Sequence, residues 1–277
     1  MILINGEFKT HIEVTDRGFQ YGDGLFETIA ITNGLPAFLS LHLNRLEAGC
    51  NRLHIPFPGT KLLTFEAKNI CRQADNVVLK IIVTRGSGGR GYRQPDDIKA
   101  TRVLSLHPFP IYPADYKDQG VVARFCDTRL GLNPGLAGIK HLNRLEQVMA
   151  RAEWSSTDIQ EGIMLDINGH VIEGTMSNIF YVKNDILYTS SLTFSGVEGI
   201  MRGSIIKASS NLGFATIQHT FTQDELLLAD EIFICNSIIG IWPIKQIEKT
   251  HFSIGERTRQ LQNKLINLQN EANKGDL

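Results

Sequence analysis

Residues 162–189 read GIMLDINGHVIEGTMSNIFYVKNDILYT. Apolar runs flank Asn168-Gly169, and further apolar runs flank Asn184-Asp185. Both dipeptides tolerate the positive φ that a two-residue turn requires, so the stretch reads as two consecutive β-hairpins. The same device recurs near the N-terminus, where FETIAITNGLPAF (26–38) turns at Asn33-Gly34, after an earlier turn signal, LING, at 3–6. Further β-branched runs are VVLKIIVTR (77–85), RVLSLHPF (102–109), GVVARFCD (120–127) and EIFICNS (231–237).

Helical periodicity separates these strands. Leu43, Leu46, Cys50 and Leu53 recur at spacings of three and four, which predicts an amphipathic helix with Ser40 as its N-cap. Other helices are expected over 60–73, near 200–211 and 222–229, and from about 254. NRLEQVMARAEWSS (143–156) reads as a helix opened by a capping box, Asn143 with Glu146. Strands arrive in hairpins rather than in strict β-α-β alternation. This predicts an α+β protein with mixed or antiparallel sheets, not a doubly wound nucleotide-binding fold.

Three prolines fall within six residues in PFPIYPADYKDQ (108–119). The expected division is therefore an N-terminal α/β domain over 1–108, a linker over 109–119 and a C-terminal domain over 120–277. With 28 basic and 29 acidic residues in 277, the formal net charge is −1. That balance gives no support for general affinity for nucleic acid or membranes. The four cysteines form no C-x-x-C pair and sit in apolar contexts, so buried reduced thiols are expected and a metal site is not. MILINGEFKT lacks a basic region followed by a long apolar run, and no apolar run approaches the roughly 20 residues a bilayer span needs. A soluble cytoplasmic protein is expected.

Several stretches could carry chemistry. Lys140 follows Ala137-Gly138-Ile139, a small and apolar approach to a lysine. A lysine desolvated beside other cations becomes a nucleophile, whereas a lysine in an ordinary loop is simply solvated. Glu173 ends an apolar strand and is followed by the small polar residues Gly174, Thr175, Ser177 and Asn178. It could face a cleft or only solvent. Gly196 and Gly199 precede a helix starting near Ile200, and free N–H groups at such a start suit a phosphate. His42 and Arg45 share one helix face, which is commonly a solvated one. Asn236 and Ser237 follow a buried strand and could close an anion site or bond their own loop. TRGSGGRGYR (84–93) is flexible and basic, fit to cradle a phosphate, stack on RNA or reach over an active site. One short copy in a nearly neutral chain argues against RNA.

Taken in order, YGDGLFET, HLNRLE, the glycine loop after TRG, GIKHLNRLEQ, EGTMSNIF, GVEGIMR and CNSIIGIWPI resemble the fold-type IV pyridoxal-phosphate enzymes along nearly the whole chain. That superfamily includes branched-chain and D-amino-acid aminotransferases. The RGSGGRGY loop and LAGIKHLNRLEQV look most like its bacterial aminodeoxychorismate lyases. The resemblance implies two α/β domains with pyridoxal 5'-phosphate between them, the C-terminal one binding the cofactor, and a homodimer. It implies that Lys140 bonds the cofactor and shuttles protons. Glu173 then meets the pyridine nitrogen, Val197 packs on the ring, and Arg45, the N–H groups of Ile200 and Met201, and Ser237 hold the phosphate. Arg90, Tyr92 and Thr28 are the implied substrate residues. The implied reaction cleaves 4-amino-4-deoxychorismate to 4-aminobenzoate and pyruvate, on the way to folate. The alternative is a D-amino-acid or branched-chain aminotransferase.

Overall fold

The computed structural model describes residues 1–275. The backbone divides into two compact units, one taking in Met1–Pro110 and Ile139–Asn143, the other Ile111–Gly138 and Arg144–Leu268.

The first unit contains β1 (Ile2–Ile4), β2 (Glu7–Phe8), α1 (Arg17–Tyr21), β3 (Gly24–Thr32), β4 (Leu35–Pro36), α2 (Leu39–Leu53), α3 (Thr60–Cys71), β5 (Val77–Thr84) and β6 (Thr101–Pro108). Its strands form one sheet in the order β2-β1-β6-β5-β3-β4, with every pairing antiparallel. Asn33 and Gly34 turn between β3 and β4 with φ of 52° and 76°, the all-positive geometry of a type I′ turn. Alternation along β3 and β5 sends Leu25, Ile29, Ile31, Leu79, Ile81 and Val83 to one side. There they pack with Leu43, Leu46 and Cys50 of α2 and Leu63, Ala67 and Ile70 of α3. Each such leucine or isoleucine contributes about 2 kcal/mol by leaving water.

The second unit contains α4 (Asp115–Gln119), β7 (Val121–Leu130), α5 (Leu145–Arg151), β8 (Glu161–Asp166), β9 (Val171–Gly174), β10 (Asn178–Lys183), β11 (Ile186–Ser190), α6 (Ile200–Asn211), β12 (Thr216–His219), α7 (Gln223–Leu227), β13 (Glu231–Asn236), β14 (Gly240–Ile247), β15 (Thr250–His251) and α8 (Glu256–Gly275). The strand order is β12-β11-β10-β13-β14-β7-β8-β9, with β15 on β14. A further pairing of β9 with β10, at Glu173 opposite Asn178, closes six of these strands into a ring. The sheet is mixed: β7 runs parallel to β8 and β14, and β11 to β12. Asn184 and Asp185 turn with φ of 49° and 65°. The α+β class and the hairpins anticipated from sequence are both present.

Four local expectations are corrected. The chain divides after Pro110, and 115–119 is helical rather than a linker. Tyr112 and Tyr116 pack edge-on against Trp242 at 4.7 and 5.1 Å, which ties this segment to β14. Residues 139–143 also leave the second unit for the first. Helix α2 begins from Phe38 in a left-handed conformation (φ 53°), with no side-chain cap, and Ser40 lies exposed in its first turn. Helix α5 begins at Leu145 without the capping box. Asn143 instead donates to Gly22 O at 3.1 Å, and Glu146 accepts from Gly131 N at 2.8 Å. All four cysteines are free and buried, as expected, and burial pushes the thiols of Cys50, Cys71 and Cys126 up to about 12. Among the described residues no helix is long and apolar enough to cross a membrane.

Candidate active site

In the first unit the site is built on β3. Glu27 shares the core-facing side of this strand with Leu25, Ile29 and Ile31, and is only 1 % exposed. Helix α2 answers this buried carboxylate. Arg45 Nε donates to Oε1 at 2.8 Å and Nη2 to Oε2 at 2.5 Å, while His42 Nδ1 donates to Oε2 at 2.6 Å. Burial raises the Glu27 carboxyl, but the His42 hydrogen bond and the Arg45 charge outweigh it and hold the group at about 2. Burial also pushes His42 below its ordinary value, against the pull of Glu27. The imidazole is therefore neutral, with its proton on Nδ1, the nitrogen facing the carboxylate. Its Nε2 is buried without a partner among the described residues. Arg45, read from sequence as a phosphate ligand, is thus oriented through two charge-assisted bonds to Glu27.

The opposite side of β3 carries Phe26 and Thr28. Residues 139–142 lie along the free N-terminal edge of this strand. Phe26 N donates to Lys140 O at 3.0 Å, Leu142 N donates to Gly24 O at 2.9 Å, and Leu25 bridges His141. This antiparallel register sets Lys140 opposite Phe26, with both side chains on one face. Lys140 Nζ stands 4.3 Å from the Phe26 ring centroid. Its predecessor Ile139 turns the other way into the core at 6 % exposure. The approach to this lysine is buried, with Ala137 and Ile139 both 6 % exposed. Thr28 and, from β5, its register partner Lys80 continue the same half-buried face.

The basic loop is held by groups the sequence did not single out. Arg85 is buried and bonds Asp23 twice, at 2.7 and 2.9 Å, as well as Leu53 O and His54 O. Arg17 also bonds Asp23, and it reaches Gly91 O at 2.9 Å, Arg93 O at 3.3 Å and Tyr92 O at 3.4 Å. The loop is therefore clamped at its base and along its backbone. Arg90 is exposed, and Tyr92, 88 % exposed, lies edge-on to Tyr21 at 5.6 Å.

In the second unit Glu173 is 4 % exposed and Oε2 accepts from Val197 N at 2.8 Å. Asn178, opposite Glu173 at the ring closure, donates to Val197 O at 2.8 Å, so both backbone groups of Val197 are fixed. Gly138 pairs with the same segment, donating to Gly196 O at 2.9 Å and accepting from Glu198 N at 3.0 Å. Gly196 has φ of 86°, and a Cβ there would press on Leu192 and Ile172 at 2.7 and 2.8 Å. Only glycine keeps this turn beside Glu173. Arg144 is half-buried, which lowers its basicity, and the charge of Glu173 opposes that shift. Helix α6 starts from the extended Gly199 with no side-chain cap, leaving the N–H groups of Ile200 and Met201 at a bare helix start.

Thr175 and Ser177, the small polar residues after Glu173, face a second carboxylate. They donate to Glu161 at 2.5 and 2.7 Å, a carboxylate with no exposure that also accepts from Gly162 N and Thr175 N. Asn236 Oδ1 accepts from Ile238 N and Ile239 N, so the loop bonds its own backbone, with Ser237 half-buried inside it. The signal for Glu27 was legible: a carboxylate at an alternate position between Leu25 and Ile29 must be buried, and buried carboxylates need partners. Glu161 precedes an equally apolar run. Arg17 gave no local signal for its grip on the loop, since the carbonyls it reaches there lie 74 to 76 residues away.

In the first unit a lysine amine beside an aromatic ring and an arginine held by a buried carboxylate, and in the second a buried carboxylate and an uncapped helix start, are the kinds of group that a phosphorylated pyridine aldehyde needs. The chemistry of each set suits pyridoxal phosphate. The chain is 39 % identical over 270 residues to an aminodeoxychorismate lyase of Vibrio harveyi, covering 96 % of this chain and 99 % of that protein. It superposes on the crystal structure of a 4-amino-4-deoxychorismate lyase from Pseudomonas aeruginosa with a TM-score of 0.94 and 43 % identity, over 96 % of this chain and 98 % of that one. A putative branched-chain-amino-acid aminotransferase of Methanocaldococcus jannaschii is 31 % identical, over 95 % of this chain and 94 % of its own length. Residues 24–247 match the amino-transferase class IV family, and the chain belongs to that family.

Proposed function

We propose that this protein is a pyridoxal-phosphate-dependent carbon–oxygen lyase that converts 4-amino-4-deoxychorismate to 4-aminobenzoate and pyruvate. The observation that carries this reading is Lys140, registered on the edge of β3 with its ammonium against Phe26, in a chain that is like two such lyases over 96 % of its length. Lys140 holds the cofactor through Nζ, and Glu173 meets its ring nitrogen. Val197 packs on the ring. Arg45, the N–H groups of Ile200 and Met201, and Ser237 take the phosphate. When bound, the cofactor supplies an electron sink.

The remaining work belongs to the chain. Glu27 fixes the direction of Arg45, so the arginine is oriented before any anion arrives. Lys140 Nζ takes the proton from the amine-bearing ring carbon, and a proton then reaches the methylene of the departing enolpyruvyl group. The ring becomes aromatic, so the protein needs chiefly to bind, orient and move protons. Thr28 lies on the Lys140 face and contacts the substrate there, while Arg90 and Tyr92 approach it from the clamped loop. Leu145, Val148 and Met149, exposed at 75, 61 and 61 % on α5, support a homodimer. The protein acts in the cytoplasm, in the synthesis of 4-aminobenzoate for folate.

The test is product analysis with and without a keto acid. Stoichiometric pyruvate and 4-aminobenzoate from 4-amino-4-deoxychorismate, with no acceptor added, is the expected result. Amino transfer from D- or branched-chain amino acids to 2-oxoglutarate, with no pyruvate release, replaces the lyase by an aminotransferase.

A further inference from the structure

The side of the first sheet that carries Lys140 holds a second cation. Lys80, at the centre of β5, is registered opposite Thr28 of β3 and Ser105 of β6. It is half-buried, and among the described residues no carboxylate pairs with it. Its recorded contact is with the ring that Lys140 also meets: Lys80 Nζ stands 5.2 Å and Lys140 Nζ 4.3 Å from the Phe26 centroid. Two ammonium groups thus converge on one phenyl ring, separated by no more than the sum of those distances. Neighbouring cations repel, and a half-buried one without a counter-ion is unfavourable until an anion arrives. Glu27, next to Phe26 in the chain, points to the other side of β3 and is taken by His42 and Arg45.

We propose that Lys80 binds the ring carboxylate of the substrate and so determines specificity for an amino acid whose acid group lies across a six-membered ring from its amine. The inference rests on the lyase reading above. The chemistry suits two cations beside one ring. The amine must reach Lys140, the ring carboxylate points away from it, and a flat ring can lie along the Phe26 face between them. Lys80 then makes a charge-assisted hydrogen bond that a neutral ring would not receive. A simple amino acid carries its carboxylate on the carbon bearing the amine, not across a ring from it.

Lys80→Gln, Lys80→Arg and the wild-type holoenzyme decide the matter. The Gln variant is expected to raise KM about 10-fold or more while kcat falls less than threefold, and the Arg variant to recover most of the loss. Calorimetric titration with 4-aminobenzoate, which keeps the ring carboxylate but lacks the enolpyruvyl group, should show a parallel loss of affinity. Aniline, with no carboxylate, should bind all three proteins alike. An active wild type with KM and 4-aminobenzoate affinity unchanged in Lys80→Gln overturns the Lys80 assignment alone. A raised KM with unchanged 4-aminobenzoate affinity moves Lys80 to the other carboxylate and overturns the ring assignment. A wild type that releases no pyruvate overturns the lyase reading itself, and this inference with it.

Discussion

Glu27 in the first unit and Glu161 in the second are both glutamates with essentially no exposure, yet their surroundings treat them oppositely. Glu27 faces an arginine and an imidazole, and its carboxyl is held at about 2. Glu161 faces two hydroxyls and two backbone N–H groups, and its carboxyl is raised because burial outweighs those neutral donors. Burial is common to both, so the charge of the neighbours decides. The consequence is functional. A charged Glu27 directs Arg45, whereas Glu161 organises the turn that follows Glu173.

Breaking the first arrangement should have the larger effect. Glu27→Gln leaves Arg45 without its counter-charge and is expected to lower stability by about 3 kcal/mol, measured by denaturant unfolding. It should also weaken cofactor retention, read as faster loss of the cofactor on dialysis, because Arg45 loses its direction. Glu161→Gln should change stability by less than about 1 kcal/mol. The amide oxygen can accept from Gly162 and Thr175, and the amide nitrogen can donate to Ser177 Oγ, whose hydroxyl turns round.

The pH dependence sharpens the contrast. The folded value for Glu27 lies below its ordinary 4.5, so its contribution is present above pH 4.5 and is lost as pH falls toward 2. The folded value for Glu161 is raised, so ionisation there opposes folding and stability is regained as pH falls through it. Relative to wild type, Glu27→Gln should therefore lose ground as pH rises from 2 to 5, while Glu161→Gln gains it. Unfolding midpoints across that range that move the two variants in the same direction would contradict the contrast.

The same contrast marks what the sequence disclosed. Asn33-Gly34 and Asn184-Asp185 turn as read because a two-residue turn is chosen by its own residues. Lys140 was legible because Ala137, Gly138 and Ile139 announce a buried approach beside it. Ser40 and the pair Asn143 and Glu146 misled because long-range contacts outbid local caps. Phe38 enters α2 from a left-handed conformation, and Asn143 is drawn to Gly22. Arg17 was invisible because it closes the loop across more than 70 residues, a distance no local pattern spans. Thr175 and Ser177 stand plainly after Glu173, but their acceptor, Glu161, lies 14 and 16 residues earlier, beyond the reach of a local pattern.

Lys140 as the reactive lysine is the point on which the function turns, and Lys80, its neighbour over Phe26, is the natural control. Borohydride reduction of the holoenzyme followed by peptide mass mapping measures this directly. The cofactor mass is expected on the peptide containing Lys140, and Lys140→Ala should abolish both the label and the visible absorbance of the lysine-bound cofactor. The label on the Lys80 peptide, or its persistence in Lys140→Ala, would contradict the assignment.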